Sequence, residues 1–170
     1  MKEFRDTESR TWKVSVSVGT IKAVREALNI DLCAVTQGEA AGKKTLTSLI
    51  IDPIQVCNIL FVLCRRQADE QKVSDEDFGR AMGGKSLAEG RAALLEELVN
   101  FTPDPREQKV VAEQIRKLQE LKNKAYERTL ARINSPELES LINEQLDNLY
   151  KPDAESQSGS DSTSIPSVGE

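Results

Sequence analysis

The 170-residue sequence contains no histidine, and this absence removes several kinds of chemistry at once. Imidazole is the usual side chain for acid–base catalysis, for activating a serine or cysteine nucleophile, and for binding transition metals. The three cysteines, Cys33, Cys57 and Cys64, form no C-x-x-C pair. Because Cys57 and Cys64 lie in an apolar run, we expect buried free thiols rather than a metal or redox site. We therefore expect no catalytic residues, no metal and no cofactor.

Aromatic residues and long apolar runs are scarce as well. Aromatics make up 4 % of the chain, so the core must be largely aliphatic. The net charge of −5, from 23 Lys+Arg and 28 Asp+Glu, gives no electrostatic reason to expect a nucleic-acid partner. The longest apolar stretch, residues 56–64, contains Asn58 and is too short to span a bilayer, and the polar first residues do not form a signal sequence. We expect a cytoplasmic protein that binds neither nucleic acid nor membrane.

What is present is a pattern that predicts an α+β fold, mostly α, with a small N-terminal β-hairpin packed on a helical domain. In residues 1–18, apolar and polar side chains alternate from Trp12 onward, as in a half-buried strand. Apolar residues then recur at helical spacing in residues 20–29, where Thr20 can cap the helix. The next segments are less regular: the sequence allows a short strand at residues 31–35 and a loop at residues 38–44.

Three helix starts follow, each with a capping residue. Asp52-Pro53 begins a helix to about Gln71, apolar nearly all round and therefore central. Ser74 caps a short helix that ends at Gly83-Gly84. Ser86, with Glu89 three residues later, predicts a capping box for the next helix. The expected inward residues of that helix are Leu87, Leu94, Leu95, Leu98 and Phe101.

The C-terminal third has a different character. Residues 105–134 predict one long, charged helix whose narrow apolar stripe is nearer to a coiled-coil seam than to a core-facing side. Ser135-Pro136 breaks it, and a last amphipathic helix runs to about Tyr150. The predicted parts are an α+β head domain (1–103), a helical C-terminal extension (104–150) and a disordered Ser/Gly-rich tail (151–170).

One segment matches a phosphate-binding loop by its letters. Gly79-Arg80-Ala81-Met82-Gly83-Gly84-Lys85-Ser86 satisfies G-x-x-x-x-G-K-[ST]. Such a loop requires a buried strand before it, and residues 73–78 are instead acidic and typical of a helix start. We therefore favour a glycine turn between two helices over a nucleotide site at Gly84, Lys85 and Ser86.

A family resemblance rests on several segments of the first 105 residues. They are Phe4-Arg5-Asp6, Arg10-Thr11-Trp12-Lys13-Val14, Val18-Gly19-Thr20-Ile21-Lys22-Ala23-Val24-Arg25, Asp52-Pro53, Leu63-Cys64-Arg65, Val73-Ser74-Asp75-Glu76-Asp77-Phe78-Gly79-Arg80-Ala81 and Ala93-Leu94-Leu95-Glu96-Glu97-Leu98-Val99-Asn100-Phe101. Together they resemble the tail assembly chaperones of long-tailed bacteriophages and related prophages. The resemblance implies a non-enzymatic protein of the host cytoplasm that coats the tape measure protein before the tail tube forms. It also implies a longer, frameshifted form, for which residues 151–170 would be the linker.

Apolar side chains of the last two predicted helices are the candidate partner contacts, because a helix with a narrow apolar stripe gains stability by meeting another helix. These contacts are Leu118, Leu121, Leu130, Ile133, Leu141, Leu146 and Leu149. The partner would be the tape measure protein or a second copy of the chain, and packing back on the head is equally open. The rival functions are a nucleotide-binding enzyme using Gly79–Ser86 and a generic coiled-coil adaptor or scaffold.

Overall fold

The computed structural model describes residues 1–36 and 40–150. These residues form an α+β structure that is mostly helical, with one two-stranded antiparallel sheet. In chain order, the described elements are β1 (Lys2–Arg5), β2 (Thr11–Val14), α1 (Val18–Leu28), α2 (Cys33–Thr36), α3 (Ala40–Ile51), α4 (Pro53–Gln71), α5 (Asp75–Ala81), α6 (Gly84–Phe101), α7 (Pro105–Ile133) and α8 (Pro136–Leu149). The chain divides into two compact units, Met1–Ala125 and Tyr126–Glu170.

The predicted hairpin is confirmed, and its inner face begins the core of the first unit. Phe4 pairs with Trp12 across β1 and β2, and both side chains are buried together with Val14. β1 packs on α6, and β2 packs on α4. The Trp12 ring meets the Phe78 ring of α5 edge-on, with centroids 4.9 Å apart. A second ring, Phe61 of α4, lies 5.5 Å from Phe78 between centroids, so a small aromatic group joins the hairpin to the helices in a largely aliphatic core.

The hairpin turn is organised by the buried carboxylate of Asp6. Its Oδ1 accepts hydrogen bonds from the backbone N–H groups of Glu8 and Arg10, both at 2.9 Å. Its Oδ2 accepts from Arg10 Nε at 2.6 Å and from Trp12 Nε1 at 2.9 Å. Burial by itself would raise the pKa of Asp6, but the hydrogen bonds from Arg10 and Trp12 outweigh it and hold the pKa below its ordinary value. The indole N–H thus gains the acceptor that a buried tryptophan needs.

Two sequence predictions between the hairpin and α4 are wrong. α1 is capped by Ser17, whose Oγ accepts from the backbone of Thr20, so Thr20 is the third helical residue of a capping box and not the cap. Residues 33–36 form the short helix α2 rather than a strand, because Asp31 Oδ1 accepts from the Cys33 N–H and begins a turn.

The loop predicted at residues 38–44 is also wrong from Ala40 onward, where α3 begins; residues 37–39 lie outside the described residues. Gly42 explains the error. A Cβ at Gly42 would lie 1.9 Å from the carbonyl oxygen of Ala34. Only glycine permits this approach of α3 to the backbone of α2. The glycine therefore marks a helix contact, although in the sequence it is typical of a loop.

The predicted start and end of α4 are confirmed. Asp52 accepts from the N–H groups of Ile54 and Gln55, and the helix ends at Gln71 with Lys72 in the left-handed region. α4 crosses the core with one face, whose buried residues are Val56, Ile59, Leu60, Leu63, Cys64 and Ala68. Its first turn is different, since Ile54 is 71 % exposed. α4 is therefore central, but it is not buried all round.

The long helix α7 joins the first unit along its first half. Val111 and Ile115 are buried in the core, and Leu118 packs partly buried against it. The first compact unit accordingly continues to Ala125, beyond the boundary that we predicted at residue 103. The stripe that looked like a coiled-coil seam is core-facing over this stretch, because Val111, Ile115 and Leu118 pack in or against the core cluster of the first unit.

We expect Asp6→Asn to lower the free energy of unfolding by about 1–3 kcal/mol, because a buried amide cannot replace the charge-assisted bonds to Arg10 and Trp12. Urea denaturation followed by tryptophan fluorescence would measure the loss. Glu8→Gln is the matched control: Glu8 pairs with the same Arg10 at 3.2 Å, but its side chain is 60 % exposed. The control should cost no more than about 1 kcal/mol.

The pH dependence of this difference gives a second check. The pKa of Asp6 is lower in the folded state than its ordinary value, so its contribution is complete above about pH 4 and is lost as the pH falls through the folded-state pKa. The stability difference between the wild type and Asp6→Asn should therefore shrink in acid. A difference that stays constant down to the acid transition would contradict the assigned role.

Candidate interaction surface

The glycine turn that matches the phosphate-loop pattern connects two helices, as predicted. Gly79 lies inside α5, and the segment before it is the first turn of that helix, capped by Ser74. The N–H and Oγ1 of Thr7 both donate to the carbonyl oxygen of Ala81, at 3.0 and 2.9 Å. The hairpin turn therefore covers the end of α5. A strand that delivers the loop to a phosphate is not formed by these residues.

The residues that would hold a nucleotide have structural roles in α6 instead. α6 begins at Gly84 with Gly83 as its cap, so the capping box predicted at Ser86 and Glu89 is wrong. Ser86 is buried in the first turn, and the Lys85 ammonium lies 3.9 Å from the Glu89 carboxylate one turn later. A Cβ at Gly83 would lie 2.8 Å from the methyl group of Thr7. Gly83 thus serves the contact between the hairpin turn and the helices, whereas a Cβ at Gly84 would meet no atom within 4 Å.

The described cysteines and acids do not form a metal centre. Within residues 1–36 and 40–150, no group of three or more Cys, Asp or Glu side chains is placed to hold an ion. Cys64 is buried, and burial raises the pKa of its thiol to about 12. Burial also raises the pKa of Cys57. These two thiols are therefore poor nucleophiles near neutral pH.

One open cavity of about 400 Å³ lies between α6 and α7, beside β1. Its walls include Leu95, Val99 and Ile115, with Asn100 and Gln119 as polar groups and Lys2 at the edge. Lys2 pairs with Glu96 at 2.5 Å across this edge. Nothing in the cavity gathers several polar groups toward one point, which is how a small-molecule site fixes its ligand.

The candidate contacts on α7 separate into two kinds. Leu118 is partly buried against the core, whereas Leu121, one turn on, is 56 % exposed. Further along, Leu130 and Ile133 are exposed as well. The regular three–four apolar spacing ends at Leu118, because the next positions of the same stripe are Lys122, Ala125, Thr129 and Arg132. The apolar seam needed for a continuous coiled coil along α7 is thus interrupted.

α8, in the second unit, carries an exposed apolar surface. The break predicted before it is confirmed, since Ser135 caps α8 and Pro136 takes its first position. Leu141, Leu146 and Leu149 are 57 %, 44 % and 79 % exposed, and no residue of α8 is buried. With Leu138 and Ile142 they form one face of the helix. We call this set of five side chains the α8 apolar face.

Burying the α8 apolar face would contribute a large stabilising free energy. Full burial of one leucine or isoleucine side chain contributes about 1.5–3 kcal/mol. A 14-residue helix with a polar side rich in charge gains little stability from its own hydrogen bonds in water. The α8 apolar face therefore has the properties of a surface that becomes buried on association.

Ile51 and Ile54 are a further exposed apolar pair, which the sequence pattern did not predict. Ile51 ends α3 and Ile54 opens α4, and they are 61 % and 71 % exposed. In the sequence both belong to apolar runs that predict burial. The cap at Asp52 turns the chain between them, and the two helices meet at 101°. Taken together the bent pair has the length and hydropathy of a membrane span, but no single helix among the described residues does.

Comparisons of the chain with family models, with curated proteins and with solved structures find no match. The interaction surface must therefore be interpreted from its own residues. Those residues are apolar, helical and exposed, and they lie outside the packed core of the first unit.

We expect Ile115→Ala to lower the free energy of unfolding by about 2–4 kcal/mol, because the substitution leaves a cavity under α7. Leu121→Ala, on the same helix, is the matched control and should change stability by no more than about 0.5 kcal/mol. Chemical denaturation of both variants measures the contrast. Equal losses in the two variants would mean that Leu121 is also part of the core.

We expect ATP with Mg²⁺ to leave the melting temperature of the protein unchanged, because the glycine turn is covered by Thr7 and Lys85 is paired with Glu89. A nucleotide present at 100 times its dissociation constant would stabilise the fold by about 2.7 kcal/mol. Differential scanning fluorimetry detects such a shift. A rise that Lys85→Ala abolishes would revive the nucleotide-binding alternative.

Proposed function

We propose that this protein is a non-enzymatic assembly chaperone of the phage tail type, which binds the tape measure protein in the host cytoplasm before the tail tube polymerises. The observation that carries the proposal is the α8 apolar face, together with the exposed Leu130 and Ile133 that precede it. A protein that holds an apolar helical client needs an accessible apolar surface carried by a folded head.

The distribution of the resembling segments supports this proposal. The strands β1 and β2 and the helices α1, α4, α5 and α6 contain the residues that resemble tail assembly chaperones, and they supply most of the buried core. The candidate contacts beyond Leu121 lie after these elements in the chain. The resemblance therefore accounts for the folded head, and the exposed leucines supply a surface on which a client can be held.

The mode of binding follows from the spacing of the exposed side chains. On α8, Leu138, Leu141, Ile142, Leu146 and Leu149 recur at three- and four-residue intervals, which places anchors on one face for packing against a second helix. The polar side of α8 carries Glu137, Glu139, Glu144 and Asp147. A client helix with apolar anchors and basic flanks suits such a surface best.

Co-expression with the tape measure protein of the same phage or prophage tests the proposal. We expect the tagged chain to keep the tape measure protein soluble and to co-purify with it. Leu141→Glu with Leu146→Glu should reduce the recovered tape measure protein at least tenfold, because charges enter the apolar contact. The measurement is the molar ratio of the two proteins after affinity purification.

A matched control adds the same two charges to the polar side of the same helix, as Ser140→Glu with Asn143→Glu. This control should leave the ratio unchanged. Equal recovery with the leucine variant and the control would contradict the assigned surface. A tape measure protein that remains soluble and unbound beside the wild-type chain would contradict the function itself.

A further inference from the structure

The two strands of the hairpin have different neighbours along the chain. α6 follows β1 along its length: the hairpin turn contacts the start of α6 at Gly83, and Lys2 pairs with Glu96 near its end. Between these points, a Cβ at Gly90 would lie 3.5 Å from a ring carbon of Phe4. β2 packs on α4 instead, and its outer edge is covered by side chains of that helix.

The backbone groups at the outer edge of β2 follow from the pairing of the hairpin. In an antiparallel pair, successive residues direct their N–H and C=O groups alternately toward the partner strand and away from it. The Asp6 N–H donates to the Arg10 carbonyl oxygen at 3.1 Å, so Arg10 faces the partner strand. Two residues on, Trp12 also faces β1, whereas Thr11 and Lys13 direct their N–H and C=O groups away from it. An outward edge of this kind can pair with a strand of another chain.

The side chain of Gln67, on α4, occupies this edge at Lys13. Its Oε1 accepts a hydrogen bond from the Lys13 N–H, and its Nε2 donates one to the Lys13 carbonyl oxygen, both at 2.8 Å. The Cys64 thiol, on the same helix, approaches the same carbonyl oxygen at 3.8 Å. The amide of Gln67 thus makes the pair of bonds that a residue of a neighbouring strand would make.

This pair of bonds lies at the surface of the first unit. Both hydrogen bonds are exposed, as is Lys13 itself. Hydrogen bonds that compete with water add little net stability, and ordering a glutamine side chain offsets part of the gain. The arrangement is therefore explained better by the contact that it prevents than by the stability that it adds.

We propose that Gln67 closes the outer edge of β2 against strand pairing with another chain. In a solution of the pure protein, the strand that it excludes is β2 of a second copy. The inference rests on the hairpin and α4 alone and does not depend on the proposed client, so the two proposals can fail separately.

Two substitutions open the edge in different ways. Gln67→Ala removes both hydrogen bonds and shortens the side chain, and Gln67→Met removes them but keeps its length. Gln71→Ala is the matched control, because Gln71 is the same residue type at the end of the same helix.

Amide hydrogen exchange followed by NMR measures the edge residue by residue. In dilute solutions of both Gln67 variants, we expect the Lys13 N–H to exchange at least about tenfold faster than in the wild type, because its acceptor is gone. The Trp12 N–H, which faces β1, should keep its rate and so show that the hairpin remains folded.

In concentrated solutions, the opened edges should pair. Analytical ultracentrifugation should then give a larger mass for the Gln67 variants than for the wild type, and exchange at Thr11 and Lys13 should slow again. Gln71→Ala should match the wild type in both measurements.

Three results overturn the proposal. The first is an unchanged Lys13 exchange rate in the dilute variants. The second is faster exchange without association at high concentration, because Gln67 then adds only local stability. The third is association that leaves the Thr11 and Lys13 amides unprotected, since another surface then makes the contact.

Discussion

The fold of the first unit depends on a single buried carboxylate. Asp6 accepts four hydrogen bonds from within the hairpin, including one from the indole of Trp12. A buried indole N–H without an acceptor would cost about 1–3 kcal/mol. By fixing the turn, Asp6 also sets the position of Thr7, which donates twice to the end of α5. The hairpin is thereby tied to the glycine turn, and Trp12 is held against Phe78 in the core.

This constraint explains why a segment with the letters of a phosphate loop has a structural role. The carbonyl oxygen of Ala81 accepts two hydrogen bonds from Thr7, the Thr7 methyl group lies against Gly83, and Ser86 is buried in α6. Gly83 permits this close contact between its backbone and the Thr7 side chain. A motif acquires its chemistry only when a strand precedes it and its amides remain free.

The two helices after the head, α7 and α8, change from buried to exposed along the chain. α7 begins with Val111 and Ile115 in the core, continues through the half-buried Leu118, and ends with Leu130 exposed. Along the same stripe, the apolar residues are followed by Lys122, Thr129 and Arg132. Burying these polar side chains would cost free energy, so the buried part of α7 ends before them. α8 has an apolar face and no buried residue. We propose that these exposed surfaces serve association with a helical client.

The regular, strongly patterned elements of this protein were determined by the sequence alone: the β-hairpin of residues 2–14, the capped starts at Asp52 and Ser74, and the long helix broken at Ser135-Pro136. Their signals are local, because alternation, caps and proline act within a few residues. Contacts between distant segments were decided only by the tertiary structure. Position 42 of α3 requires glycine because the Ala34 carbonyl lies against it, and Ser86 is buried within α6, which begins two residues earlier at Gly84. Similar apolar spacing leaves Ile115 buried and Leu141 exposed, since periodicity shows which face of a helix is apolar but not what is available to cover it.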